Sequence, residues 1–183
     1  MASVIHHVAL TCHPQTPTDV VRAVGARVLR PADGRLMLTF ALDADVARLR
    51  IPLPAPARPV HGLWKHTCFE AFVASGTAAG YHELNVAPSS EWMIYAFAAY
   101  REIAPMPDDL PQPEVTVRRS RDRLELDATL RLDSLSGAYA NAPLRLALAA
   151  VIEDERGGLS YWALRHPPGK ADFHHADAFV LGV

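Results

Sequence analysis

The chain is poor in the features that most directly declare a function. Its two cysteines, Cys12 and Cys68, are too few for a disulfide scaffold. They also lack the Cys-x-x-Cys spacing of zinc and redox sites, so reduced thiols are expected. Neither sign of charge is in real excess: Lys+Arg 18 against Asp+Glu 20 gives a net charge of -2, which provides no field for nucleic acid or anionic lipid. No apolar run approaches the roughly 18 residues of a membrane span. The opening Met1-Ala-Ser-Val-Ile-His-His has neither the basic nor the long apolar stretch of a secretory signal, which leads to the expectation of a cytoplasmic protein. Catalytic signatures are missing too: there is no Gly-x-Ser-x-Gly elbow, His-Glu-x-x-His pair, phosphate-binding loop or dinucleotide fingerprint. Gly169-Lys170 is followed by Ala171 rather than Ser or Thr.

What is abundant points to fold. Half the residues are hydrophobic and 21% are charged, a globular balance that excludes a disordered chain. A chain of 183 residues removes roughly 70% of its unfolded surface from water on folding, so residues 1–183 are expected to form a single domain. The 15 prolines cluster in Ile51–Pro59 and Pro105–Pro113. Proline has no N–H to offer a ladder, so these runs are connections or sheet edges.

Between the breaks the period is two. Leu36, Leu38, Phe40 and Leu42 share one face of a strand, with Arg35 and Thr39 on the other. Leu124, Leu126, Ala128 and Leu130 do the same opposite Arg123, Glu125, Asp127, Thr129 and Arg131. Residues 144–152 are apolar on both faces, as in a central strand. Further strands are expected near 21–30, 67–75, 81–87, 92–101, 114–119, 160–165 and 178–182. A helix over Asp19–Leu29 is disfavoured by Gly25 and the valines, and a short helical turn is expected around 133–139. This spacing describes an all-β antiparallel sandwich with at most one or two short helices.

Polar residues that interrupt this pattern are the candidates for chemistry. Tyr81, Glu83 and Asn85 share a face opposite Leu84 and Val86. An aromatic ring beside carboxylate and amide groups suits a sugar, whose C–H faces stack and whose hydroxyls hydrogen-bond; the same alternation also fits the solvent face of an edge strand. Trp92 and Tyr100 share one face of the next strand, and Tyr95, Phe97 and Arg101 the other. Glu70 lies with Cys68 and Phe72, so a partner such as Arg101 or His66 is expected. Glu70 and Glu83 on neighbouring strands also make a carboxylate pair of the kind glycoside hydrolases use. His166, Asp172, His174 and His175 have no recognised metal spacing. His66, His82, Met93 and Met106 are of the right types for haem ligation.

Three segments carry a resemblance: Leu63-Trp-Lys-His-Thr-Cys-Phe-Glu-Ala-Phe72, Tyr81-His-Glu-Leu-Asn-Val-Ala-Pro-Ser-Ser-Glu-Trp92 and Tyr95-Ala-Phe-Ala-Ala-Tyr-Arg101. With the closing Tyr161-Trp-Ala-Leu-Arg-His-Pro-Pro-Gly-Lys-Ala-Asp-Phe-His174, they resemble the bacterial DOMON-like domains, relatives of the family 9 carbohydrate-binding modules. The resemblance implies an immunoglobulin-like or jelly-roll β-sandwich that binds a ligand, a sugar or a haem, rather than catalysing a reaction. It implies a ligand-facing set of Trp64, Glu83, Asn85, Trp92, Arg101, Lys170 and His174. The expectation is therefore a non-catalytic module for a small sugar or glycan, without cofactor, metal, nucleic-acid partner or membrane. The alternatives are a protein-interaction or haem-binding module and, further off, a small hydrolase. Neither a signal peptide nor an attached hydrolase is expected, a departure from secreted sugar-binding modules that leads to the expectation of a small sugar or sugar nucleotide and not a polysaccharide.

Overall fold

A computed structural model describes residues 4–140 and 142–183. It contains twelve strands: β1 (Ile5–Cys12), β2 (Val21–Leu29), β3 (Arg35–Ala44), β4 (Cys68–Ser75), β5 (Tyr81–Val86), β6 (Trp92–Ala99), β7 (Glu102–Ala104), β8 (Glu114–Arg119), β9 (Arg123–Arg131), β10 (Leu144–Glu153), β11 (Leu159–Ala163) and β12 (Leu181–Gly182). Helical structure among the described residues is confined to 3-10 turns such as Leu63–Lys65 and Ala176–Ala178. None is long and apolar enough to cross a membrane. Cys12 and Cys68 are free thiols.

All ladders are antiparallel and form one hydrogen-bonded path, β7-β6-β5-β4-β10-β11-β1-β2-β3-β9-β8, with β12 beside β10. The path turns over at β1. Ile5–Leu10 pairs with β2, whereas Thr11 and Cys12 pair with β11. The two halves thereby become the two layers of a sandwich, and Phe40 of β3 meets Phe69 of β4 at 5.1 Å between ring centroids. Leu36, Leu38, Phe40 and Leu42 on one layer and Leu144, Leu146, Leu148 and Ile152 on the other are buried in a common core. Each such side chain contributes about 1.5–3 kcal/mol through removal from water.

The layers differ in one respect that matters for function. β3 and β9 alternate buried and partly exposed residues, so their outer face meets solvent. β4 is buried along both faces from Cys68 to Ala74, and β10 from Leu146 to Glu153. The second face of that layer is covered by the segment after β11, whose Phe173 and Phe179 pack on a cluster of Phe72, Tyr81, Phe97, Ala147 and Ala149.

The strand expected over 178–182 shrinks to Leu181–Gly182 because the 3-10 turn Ala176–Ala178 occupies its start. Two strands lie outside the sequence reading, β1 and the three-residue β7. The residue at the start of β5 is also set by packing. A Cβ on Gly80 would stand 3.0 Å from the carbonyl oxygen of Phe97, close enough that the β6 backbone would have to give way slightly. Gly80→Ala is expected to lower stability by about 1–2 kcal/mol and to disturb the near-UV circular dichroism of Tyr81, which stacks on Phe97 at 4.8 Å. An unchanged midpoint and spectrum would show that β6 yields at this point.

Candidate functional site

Strand register builds the site on the covered face of β4, β5, β6 and β10. Ala149 is opposite Glu70, Glu70 opposite Asn85, and Asn85 opposite Met93. One rung along, Ala147, Phe72, Glu83 and Tyr95 follow one another across the same strands. The result is a cavity of about 630 Å³ floored by Glu70, Glu83 and Val151, within the size range of small-molecule sites. Trp64, Tyr95 and Phe97 form an aromatic wall, with Trp64 edge-on to Tyr95 at 5.7 Å. Lys170, Ala171, Phe173 and His174 close it from the C-terminal segment, and His13, Gln15, Thr16 and Tyr161 from the far side. His13 Nδ1 accepts from the Gln15 N–H, leaving Nε2–H to donate to the Gly169 carbonyl at 3.1 Å. This bond ties the two loops into one wall.

The floor is rich in acceptors. Glu70 is 2% exposed and its Oε1 has no hydrogen-bond partner. Asn85 donates from Nδ2 to Glu83 Oε1 at 2.7 Å, but its own Oδ1 is unpartnered. Buried polar atoms without partners are uncommon in folded proteins, and those at a cavity mark where a ligand supplies the missing groups. Burial raises the Glu83 pKa to about 7, opposed by the bond from Asn85 and the charge of Arg101. Burial, and then the charge of Glu83, pushes Glu70 well above the ordinary carboxylate range.

Two polar devices stand beside the carboxylates. The Arg101 backbone N–H donates to the Tyr81 hydroxyl oxygen at 3.2 Å, so the hydroxyl hydrogen is directed to His174 Nδ1 at 2.9 Å. His174 then carries its proton on Nε2, 3.6 Å from Glu83 Oε2 and too far for a good hydrogen bond. Burial and the charge of Arg101 lower the His174 pKa to about 4, so the ring is neutral near pH 7. Arg101 itself sits at φ 56, a left-handed conformation that side chains other than glycine seldom adopt. Its guanidinium is held by Asp172 at 2.8 Å, and Asp172 also accepts from the Tyr100 hydroxyl at 2.6 Å and the His174 N–H at 3.1 Å.

Of the residues selected from the sequence, Trp64, Glu83, Arg101, Lys170 and His174 line this cavity. Asn85 adjoins them through Glu83. Trp92 does not line it. Strand parity turns Trp92 to the inner face of β6 with Ile94, 2% exposed in the core. Glu70 lacks the expected partners: Arg101 is committed to Asp172, and His66 bonds to Glu153 at 2.7 Å. His166 bonds to the Thr11 carbonyl and His175 accepts from the N–H of Asp177, so these histidines do not converge with His174. No group of three or more metal-ligating side chains gathers among the described residues. His66, His82, Met93 and Met106 are all outside the cavity lining. Sequence reasoning did not select Glu70 as ligand-facing, nor His13, Thr16, Tyr161 or Phe173. Glu70 carried a signal, a carboxylate on an apolar strand face; the loop residues carried none.

No protein-family model matches the chain, and no curated protein matches it in sequence. Solved structures do. A candidate carbohydrate-binding protein from Bacteroides uniformis superposes with a TM-score of 0.69 at 11% identity, over 96% of this chain and 84% of that one. A family 9 carbohydrate-binding module from Caldicellulosiruptor kristjanssonii, solved in complex with cellotriose, gives 0.56 at 8% identity, over 90% and 75%. The chain shares its fold with both proteins. At these identities the likeness is one of architecture, and the chemistry of the cavity has to be argued from its own side chains.

Proposed function

We propose that the protein is a DOMON-like, non-catalytic module that binds a small saccharide in the cavity on the covered face of β4–β6. The observation that carries this reading is the pairing of Trp64, 41% exposed, with the unpartnered buried carboxyl of Glu70 in one pocket. An exposed ring offers a stacking surface for sugar C–H faces, while the acceptors select hydroxyl or amine donors. The Caldicellulosiruptor module holds cellotriose on the same architecture, which supports the reading without identifying the sugar. The enclosed volume favours one or two sugar rings over a long glycan.

The carboxylate pair suits binding better than hydrolysis. Glu70 and Glu83 stand on one sheet face and therefore reach a ligand from the same side. Glycoside hydrolysis requires two carboxyl groups flanking the scissile bond.

Titration of the protein with mono-, di- and amino sugars, followed by tryptophan fluorescence, tests the proposal. Trp92 and Trp162 are buried at 2% and 7% exposure, so the response is expected to come mainly from Trp64. Trp64→Ala should abolish most of the signal change and weaken binding about tenfold by calorimetry. A flat response to every sugar, or calorimetric affinity unchanged by the substitution, would remove this reading.

A further inference from the structure

The floor of the cavity carries two carboxyl groups, Glu70 and Glu83, with Asn85 directly beside them, and this specifies the ligand more closely than "saccharide". Glu70 Oε1 and Asn85 Oδ1 have no donor among the described residues. Glu83 receives one bond, from Asn85. Glu70 and Glu83 are on adjacent strands of one face, with Glu83 one rung along from Asn85, the residue opposite Glu70. Such a diagonal pair stands within about 7–8 Å at the Cβ atoms, and both carboxylates enter the same cavity.

The cations nearby do not neutralise this pair by contact. Arg101 is turned to Asp172 at 2.8 Å, and its ion pair is closed further by Tyr100 and the His174 backbone N–H. His174 is neutral. Lys170 is exposed at the mouth, and His13 is bonded to a backbone carbonyl. The other ionisable neighbours of the carboxylates are the Cys68 thiol and the hydroxyls of Tyr81, Tyr95 and Tyr161. Cys68, Tyr81 and Tyr95 are held above their usual pKa, chiefly by burial, so these groups add no positive charge. Burial disfavours ionisation of the pair in the empty protein, and a cation placed between the two carboxyl groups would restore it; the aromatic wall beside them tolerates a cation at its face.

We propose that the native ligand carries a protonated primary amine that docks between Glu70 and Glu83, the sugar ring lying toward Trp64; this rests on the saccharide reading and narrows it to an amino sugar. An ammonium group offers three donors and a positive charge to an acceptor set that a hydroxyl satisfies with only one donor. Charge-assisted hydrogen bonds of this kind are roughly twice as strong as neutral ones. N-acetylation removes the charge and adds bulk at the position the carboxylates enclose.

Calorimetric titration of the full chain near pH 7 with D-glucosamine, D-glucose, N-acetyl-D-glucosamine and cyclohexylammonium tests this. Glucosamine should bind at least about tenfold more tightly than either neutral sugar. Glu70→Gln, which keeps the shape of the side chain but cannot ionise to pair with the ammonium, should erase that preference. A thermal midpoint at or above that of the parent would show that the variant is folded. Glucose or N-acetylglucosamine binding as tightly as glucosamine would overturn the amine inference and leave the saccharide reading standing. Cyclohexylammonium binding as tightly as glucosamine, with no neutral sugar bound, would overturn the saccharide reading and keep the amine. Absence of binding by all four would overturn both.

Discussion

Glu83→Gln is expected to make the protein more stable at alkaline pH, by on the order of 3 kcal/mol, and to leave stability near pH 4.5 almost unchanged. The Glu83 pKa rises from an ordinary 4.5 to about 7 on folding. Between those limits the folded state therefore binds more protons than the unfolded state. Stability then falls as pH increases: the favourable contribution is complete below about pH 4.5 and is gone above about pH 7. His174 has the opposite sign, because its pKa falls from 6.5 to about 4. Its contribution is complete above about pH 6.5 and is lost as pH falls toward 4. The two slopes oppose one another over most of a shared window. Glu70 is raised in the same direction as Glu83 and adds a second falling slope from about pH 4.5 upward, so the parent should lose stability above about pH 4.5 and more steeply above about pH 6.5, where the histidine slope ends. In Glu83→Gln the histidine and Glu70 slopes oppose one another, so stability should stay nearly flat from about pH 4.5 to 6.5 and then decline less steeply than in the parent. Urea denaturation across this range measures both curves. Parallel profiles for parent and variant would show that Glu83 is ionised at an ordinary pKa and that the floor is wetter than its burial implies. The gain in stability should accompany a loss of ligand affinity, the usual relation between a strained binding group and its function.

The opposition of these two groups could not be read from the sequence, although much of the framework could. β3 and β9 are legible because one face is apolar and the other is not, and period two then admits a single solution. β1 gives no such signal. Of its eight residues only Leu10 is buried, since most of the strand is an exposed link between the layers. β6 shows a subtler limit. Parity correctly separates Trp92 from Tyr95 and Phe97, yet both faces are apolar, and the strand alone cannot say which of them meets the opposite layer. The answer lies in β4 and β10, whose second face is covered by the segment after β11, far from β4 in sequence. Glu70 illustrates the same dependence. A carboxylate among apolar neighbours implies a partner, and the chain contains suitable cations, but the one nearest in the fold is already engaged by Asp172. The His13–Gly169 bond spans 156 residues, and no local pattern anticipates a wall built from two loops so far apart.

That engagement of Arg101 leads to the second large effect. Asp172→Asn is expected to weaken amino-sugar binding by up to about 100-fold, although Asp172 is not among the residues that line the cavity. The substitution keeps an acceptor for the His174 N–H, places an amide N–H toward the Tyr100 hydroxyl, and removes the charge that holds the guanidinium. Arg101 already lines the pocket and lowers the pKa of both carboxylates from its present position. Without Asp172, the strongest remaining attraction on it is Glu83 together with Glu70, and burial makes an ion pair there far more favourable than one in water. The carboxylates would then be neutralised internally, and a ligand ammonium would have to displace an arginine instead of filling a vacant charge. The Glu83 pKa should fall from about 7 toward the ordinary carboxylate range. Relief of that elevation is worth on the order of 3 kcal/mol, which a ligand could no longer gain on binding and which corresponds to the expected loss of affinity. Carbon-13 titration of the glutamate side chains and calorimetry with glucosamine measure the two halves of the effect. A variant that keeps Glu83 near pH 7 and binds glucosamine like the parent would show that the left-handed turn at Arg101, and not its ion pair, keeps the arginine away from the floor.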